Sequence, residues 1–158
     1  MTNSPIARIL GRVPSGIFIL TVRHEEEETG MLSSWVMQAG FEPPMVTVAV
    51  RHGRYVADWI LAGAPFALNL LPEKQKTFLR HFARGFELGE PAFAGLEIQR
   101  SPRGLPILLH TVGHLECEPA DRKIESGDHH IFLAKVVDGA LTDHLRPMVH
   151  IRNTGLRY

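Results

Sequence analysis

The chain of 158 residues carries one cysteine, Cys117, which excludes an intrachain disulfide and a cysteine cluster for zinc or iron–sulfur. It has no surplus charge of either sign. Seventeen Lys and Arg balance seventeen Asp and Glu, so no general pull toward nucleic acid or an anionic membrane is expected. No apolar run approaches the roughly 20 residues of a membrane helix. Met1 to Leu10 lacks a basic segment leading into a long apolar core, so no secretory signal is expected and a cytoplasmic location is the default. Also missing are a Gly-x-Gly-x-x-Gly turn between strand and helix, a Walker-type glycine loop and a Gly-x-Ser-x-Gly elbow. These absences remove the usual nucleotide cradles and the common hydrolase nucleophile.

What remains is an average globular composition, 44% hydrophobic and 22% charged, in a length that suits one domain over residues 1–158. Ser4-Pro5 reads as a cap and first helical position before Ile6, Ile9 and Leu10. Ile17 to Val22, Val46 to Val50, Phe66 to Leu71, Thr111 to Cys117 and His129 to Val137 read as strands, with a further short one near Leu96 to Arg100. Glu25 to Glu28 suit a solvated hairpin tip. Short helices are expected over Arg54 to Gly63 and from Pro72 through Ala83, and turns over Glu118 to Gly127 and at Asp138-Gly139. Strands outnumber helices, which points to a mainly antiparallel barrel or sandwich with flanking helices.

Nine histidines raise the question of metal. His110 and His114 share a metal only on a helix, since four residues of strand separate them by roughly 13 Å. His129 and His130 point to opposite faces of a strand. No metal site is expected from these spacings. The segment Ser33-Ser34-Trp35-Val36-Met37-Gln38-Ala39-Gly40 is more suggestive. Small side chains and hydroxyls ahead of a strand let a flat ligand approach the backbone, while Arg51 and Arg54, just past the strand, suit a phosphate. By composition alone, the same residues also describe a bulged edge strand ending in solvated arginines.

Four motifs in order tip the balance: Pro14-Ser15-Gly16, Ser33 to Pro44, Phe66-Ala67-Leu68-Asn69-Leu70-Leu71, and Gly127-Asp128-His129. In this order they resemble the flavin reductase-like, FMN-binding split-barrel family, and most of all the flavin reductase module at the C-terminus of cyanobacterial diflavin proteins. The resemblance implies a mainly β fold, a six-stranded antiparallel Greek-key split barrel with short flanking helices, assembled as a homodimer. It implies an NAD(P)H-dependent flavin reductase that binds FMN, in some members FAD, and passes hydride from nicotinamide to flavin N5. The alternative it leaves open is a non-catalytic or electron-relay FMN module reduced by a redox protein partner. Position by position, Pro14, Ser15 and Gly16 match the loop near the flavin ring, and Ser33, Ser34, Trp35 and Val36 match the strand lining it. Gln38, Ala39 and Gly40 match the segment toward the ribityl phosphate, where many relatives have serine in place of Gly40. Arg51 and Arg54 match phosphate contacts, and His129 matches a position beside the nicotinamide of NADH or NADPH.

Overall fold

The computed structural model describes residues 4–142 and 144–157. Ser4 caps the first helix as its spacing predicts, its Oγ accepting from the Ala7 N–H at 3.2 Å. In chain order the elements are α1 (Pro5–Arg12), β1 (Ser15–Gly16), β2 (Phe18–His24), β3 (Glu27–Ser33), β4 (Val36–Phe41), β5 (Pro44–Arg51), α2 (Tyr55–Leu61) and β6 (Phe66–Leu70). They continue with α3 (Lys76–Ala83), β7 (Ile98–Arg100), β8 (Pro106–Leu108), β9 (Gly113–Ser126), β10 (His129–Leu141) and β11 (Val149–His150). No helix among the described residues is long and apolar enough to cross a membrane.

Seven strands form one antiparallel sheet in the order β3-β2-β6-β9-β10-β5-β4. Its edge strands, β3 and β4, follow one another in the chain with only Ser34 and Trp35 between them, so the sheet must curl until its edges meet. The Ala49 N–H donates to the Trp35 carbonyl at 3.0 Å and carries the β4–β5 pairing into this two-residue link. The result is the expected antiparallel barrel with flanking helices. Its main sheet counts seven strands rather than the six that the resemblance implies, and residues 36–41 form the bulged edge strand that their composition left open.

Alternation decides what fills the barrel. Val46, Val48 and Val50 point inward to meet Leu20, Val22, Phe66, Leu68 and Phe132, and α2 adds Val56, Ala57 and Ile60. Cys117 lies in this core with no exposure, and burial, followed by the Glu116 charge, pushes its thiol up to about 12. A second core forms on the outer face of the wall, where Ile17, Ile19 and Leu71 are covered by Phe78 and Phe82 of α3 and by Phe86, Ala92 and Leu108. The excursion between α3 and β9 is thus a packed layer over the barrel.

Three expected boundaries move. The polar stretch 118–126 is strand, not turn, because β9 stays paired with β10 through two register shifts while its side chains face solvent. Asp138-Gly139 lies inside β10 at one of those shifts, with Asp138 Oδ1 accepting from the Gly139 N–H at 2.8 Å. The helix expected from Pro72 begins at Lys76, since Pro72 and Glu73 are engaged by the C-terminal segment through a bridge to Pro147 and a bond from the Glu73 N–H to the Arg146 carbonyl.

Candidate functional site

The inward valines of β5 force Thr47, Ala49 and Arg51 to the outer face of the barrel. Antiparallel pairing sets Ile131 opposite Ala49 and His129 opposite Arg51, so β10 presents these two to the same face. A cavity of about 510 Å³ lies over this surface. Thr47, Ala49 and Ile131 form its floor, Ser34 to Met37 one wall and Val13 to Gly16 another, and Arg152 closes it from the C-terminal segment. Short side chains on floor and loop leave a slot against one large ring, Trp35.

Trp35 is held from more than one side. The His129 ring lies with its centroid 4.8 Å from that of Trp35, and the Arg152 guanidinium carbon is 5.2 Å from the Trp35 ring centre. His129 is only 5% exposed, and its Nδ1 lies 2.7 Å from Asp128 Oδ1; that bond holds the Asp128 carboxyl below the usual carboxylate range. Arg51 adds a longer pairing to Asp128, at 3.9 Å. Arg152 reaches the cavity because the tail is strapped down. Ser15 and Gly16 of β1 pair with His150 and Val149 of β11, and the Arg152 N–H donates to the Gly11 carbonyl at 2.9 Å. Burial, followed by the Arg152 charge, lowers the pKa of neighbouring His150.

Of the residues expected at the site, Pro14, Ser15, Gly16, Ser34, Trp35 and Val36 line this one cavity, although they come from separate loops and strands. Ser33 sits just behind them, 4% exposed, its Oγ without a hydrogen-bond partner among the described residues. Gln38, Ala39 and Gly40 continue along the exposed edge of β4, with Ala39 the extra residue of a bulge between Gln38 and Gly40. Gly40 packs tightly there, since a Cβ would stand 3.2 Å from Met45 Cγ and from the Pro43 carbonyl. Arg51 extends the outer-face row one step past Ala49, toward Asp128.

Besides Ser33, Gln38, Ala39, Gly40 and Arg51, two further expected residues do not line the cavity. Arg54 precedes α2 and lines a different, small hollow with Tyr55 and Phe86, because the turn after Arg51 reverses the chain away from the slot. His129 stands behind Trp35 instead of lining the cavity. Thr47, Ala49, Ile131 and Arg152 line it without having been anticipated. The first two follow from the valine alternation, which assigns them the opposite face; nothing local to Arg152 signals its place.

Comparison with known proteins agrees with this architecture. Residues 10–155 match the family model described as "Flavin reductase like domain". Diflavin flavoprotein A 1 of Synechocystis sp. is 37% identical over 159 residues, covering 99% of this chain and 27% of that protein. Putative diflavin flavoprotein A 5 of Nostoc sp. is 34% identical, with 98% and 27% covered. The chain therefore spans about a quarter of the length of these curated relatives. Among solved structures, the NADH:FAD oxidoreductase SgcE6 of Streptomyces globisporus superposes with a TM-score of 0.84 at 28% identity, over 91% of this chain and 85% of that one. The same protein in complex with NAD and FAD fragments gives 0.80 at 27% identity, over 90% and 84%. From its barrel, the order of its motifs and a family match over nearly its whole length, this chain belongs to the flavin reductase-like domain family.

Proposed function

We propose that this oxidoreductase domain is an NAD(P)H-dependent flavin reductase that binds FMN in the cavity beside Trp35. The observation that carries this reading is the slot itself: a flat aromatic wall facing small residues and a half-buried arginine, in a volume within the usual range for a cofactor pocket. The residues present suit a flavin. Trp35 offers a face for stacking, Ser34 and the backbone of Ser15 and Gly16 offer polar groups for a ring edge, and Arg152 offers a cation for an electron-rich ring or a phosphate. Arg51 lies along the same row and suits the phosphate end. Support from outside the chain comes from SgcE6, whose name states NADH and FAD.

A bound flavin supplies the hydride-accepting chemistry, so the protein's own task is to bind, orient and exclude water. Ser34, Gly16 and Ala49 leave the slot open to a flat ring. Arg152 would supply positive charge to a flavin held in the cavity, and its strapped backbone fixes it there in advance. His129 is a positioning residue in this scheme: it holds the Trp35 ring from behind, with Asp128 fixing the imidazole. The coverage of only a quarter of the diflavin proteins favours a second reading, an electron-relay flavin module reduced by another domain or protein. Reduction by dithionite or a partner but by neither NADH nor NADPH would select it.

Two substitutions test these roles. His129→Ala is expected to weaken FMN binding by about fivefold, as for the loss of one aromatic contact of about 1 kcal/mol, and His129→Phe is expected to restore most of it. A KM for NAD(P)H that rises in His129→Ala while FMN affinity and kcat stay unchanged would instead put His129 in contact with nicotinamide. Gly11→Ala acts on the strap, since its Cβ would stand 2.6 Å from the Arg152 carbonyl oxygen and 3.0 Å from Thr154 backbone atoms. Alanine favours the helix by up to about 1 kcal/mol, yet the tail must move. The expected result is unchanged helical signal with FMN affinity lowered about fivefold, the worth of one cation–π contact; an unchanged Kd would remove Arg152 from the site.

A further inference from the structure

On the other face of the same hairpin, the fold assembles a group that no single stretch of sequence displays. His130 points opposite to His129 and stands directly across from Glu125 in the β9–β10 pairing. His52 is brought to them by the turn after β5, where its N–H donates to the Asp128 carbonyl at 2.9 Å. Glu125 then shares its two oxygens between the rings: Oε2 lies 2.9 Å from His52 Nε2 and Oε1 2.9 Å from His130 Nδ1. The two imidazoles lie with centroids 4.2 Å apart and their planes tilted at 48°. One ligand atom from each of the three residues falls within 4.8 Å of the other two.

We propose that His52, Glu125 and His130 form a binding site for a divalent transition-metal ion of the zinc class, separate from the flavin cavity. Two imidazoles and one carboxylate are a donor set that zinc accepts, with remaining positions left to water. Metal–ligand bonds of about 2.0–2.2 Å call for the most widely spaced of these donor atoms, all within 4.8 Å of one another, to draw closer. His52 is exposed, and rotation of its side chain closes the gap. Binding replaces the hydrogen bonds that now tie the rings to Glu125. A cation already occupies part of this space, because the Lys123 ammonium pairs with Glu125 Oε1 and lies 3.4 Å from His130 Nδ1. Lys123 is therefore the metal's competitor, and its removal should help the ion. A bound ion would tie the end of β5 to the hairpin that carries His129 against Trp35.

The test is titration of the tag-free, metal-stripped chain of residues 1–158 with Zn²⁺ by calorimetry, with Co²⁺ as a visible-absorption probe of coordination. The expected result is one ion per chain, with affinity at least about 100-fold lower in His52→Ala/His130→Ala, since losing even an outer partner of a metal ligand costs about 10–100-fold. Glu125→Gln should weaken binding, and Lys123→Met should strengthen it. His110→Ala should leave it unchanged, although His110 forms a similar exposed pair with Glu97 at 3.0 Å. Circular dichroism checks that each variant folds. Absence of one-to-one binding in the native chain, or binding that survives the double substitution, overturns the proposal.

Discussion

Replacing Trp35 by alanine weakens FMN binding by about 30- to 150-fold while leaving the barrel folded. The size follows from what is lost. One face of an indole against a flat ligand contributes roughly 2–3 kcal/mol, counting the area removed from water and the ring–ring term. The replacement also leaves His129 and Arg152 without the ring they now contact. The fold tolerates the change because Trp35 is half-buried and lies outside the two main core clusters. Quenching of flavin fluorescence on titration measures it. A Kd within about threefold of the native value, beside an unchanged circular dichroism spectrum, would move the flavin out of this cavity.

The second large effect is on stability and falls at Asn69→Leu. Asn69 has no exposure and sits in the middle of β6 on the face away from the barrel core. Its Nδ2 donates to the Ile19 carbonyl at 3.0 Å and to Thr21 Oγ1 at 3.1 Å, while its Oδ1 accepts from the Leu108 N–H at 2.9 Å. Thr21 in turn donates to the Pro106 carbonyl at 2.6 Å. One side chain thus joins β2 and β6 to β8 of the covering layer. Leucine keeps the branching at Cγ but leaves the Leu108 N–H buried without a partner, on top of the bonds lost, for a cost of about 3 kcal/mol. In a chain of this length that lowers Tm by about 6–12 °C. Thermal denaturation followed by circular dichroism reads this directly. A shift under about 2 °C would mean that apolar contacts alone hold the layer.

Asn69 also shows where sequence reasoning stopped. The run Phe66 to Leu71 was legible as a strand from its apolar and aromatic content, but an asparagine in its middle has no local explanation. Its partners come from segments 39 to 50 residues away. The same contrast holds at the cavity. Ser34 to Val36 were legible because small side chains and hydroxyls ahead of a strand let a flat ligand approach the backbone, whereas Pro14 to Gly16 were marked only by the family resemblance. Thr47 and Ala49 were implied by the Val46, Val48 and Val50 alternation. Arg152 was not legible, since its position depends on β1 pairing with β11 more than a hundred residues later. Arg54 lies only three residues beyond Arg51, and a tight turn sends it to another surface.

The strands show a related limit. Residues 118–126 carry no hydrophobic alternation, because both faces of that part of β9 meet water; backbone pairing with β10 alone makes it a strand. His52, Glu125 and His130 were hidden for the same reason. Pairwise spacing of histidines finds ligands on one helix or strand, whereas these three meet across two strand pairings and a turn.

The most direct measurement is the absorbance spectrum of the purified chain with FMN, recorded without oxygen before and after adding NADH and, separately, NADPH. A flavin reductase bleaches the oxidised-flavin band with at least one of the two, and the band returns on admitting air. A band unchanged by both nucleotides, in protein whose FMN binding has been established by titration, would contradict a nicotinamide-dependent reductase.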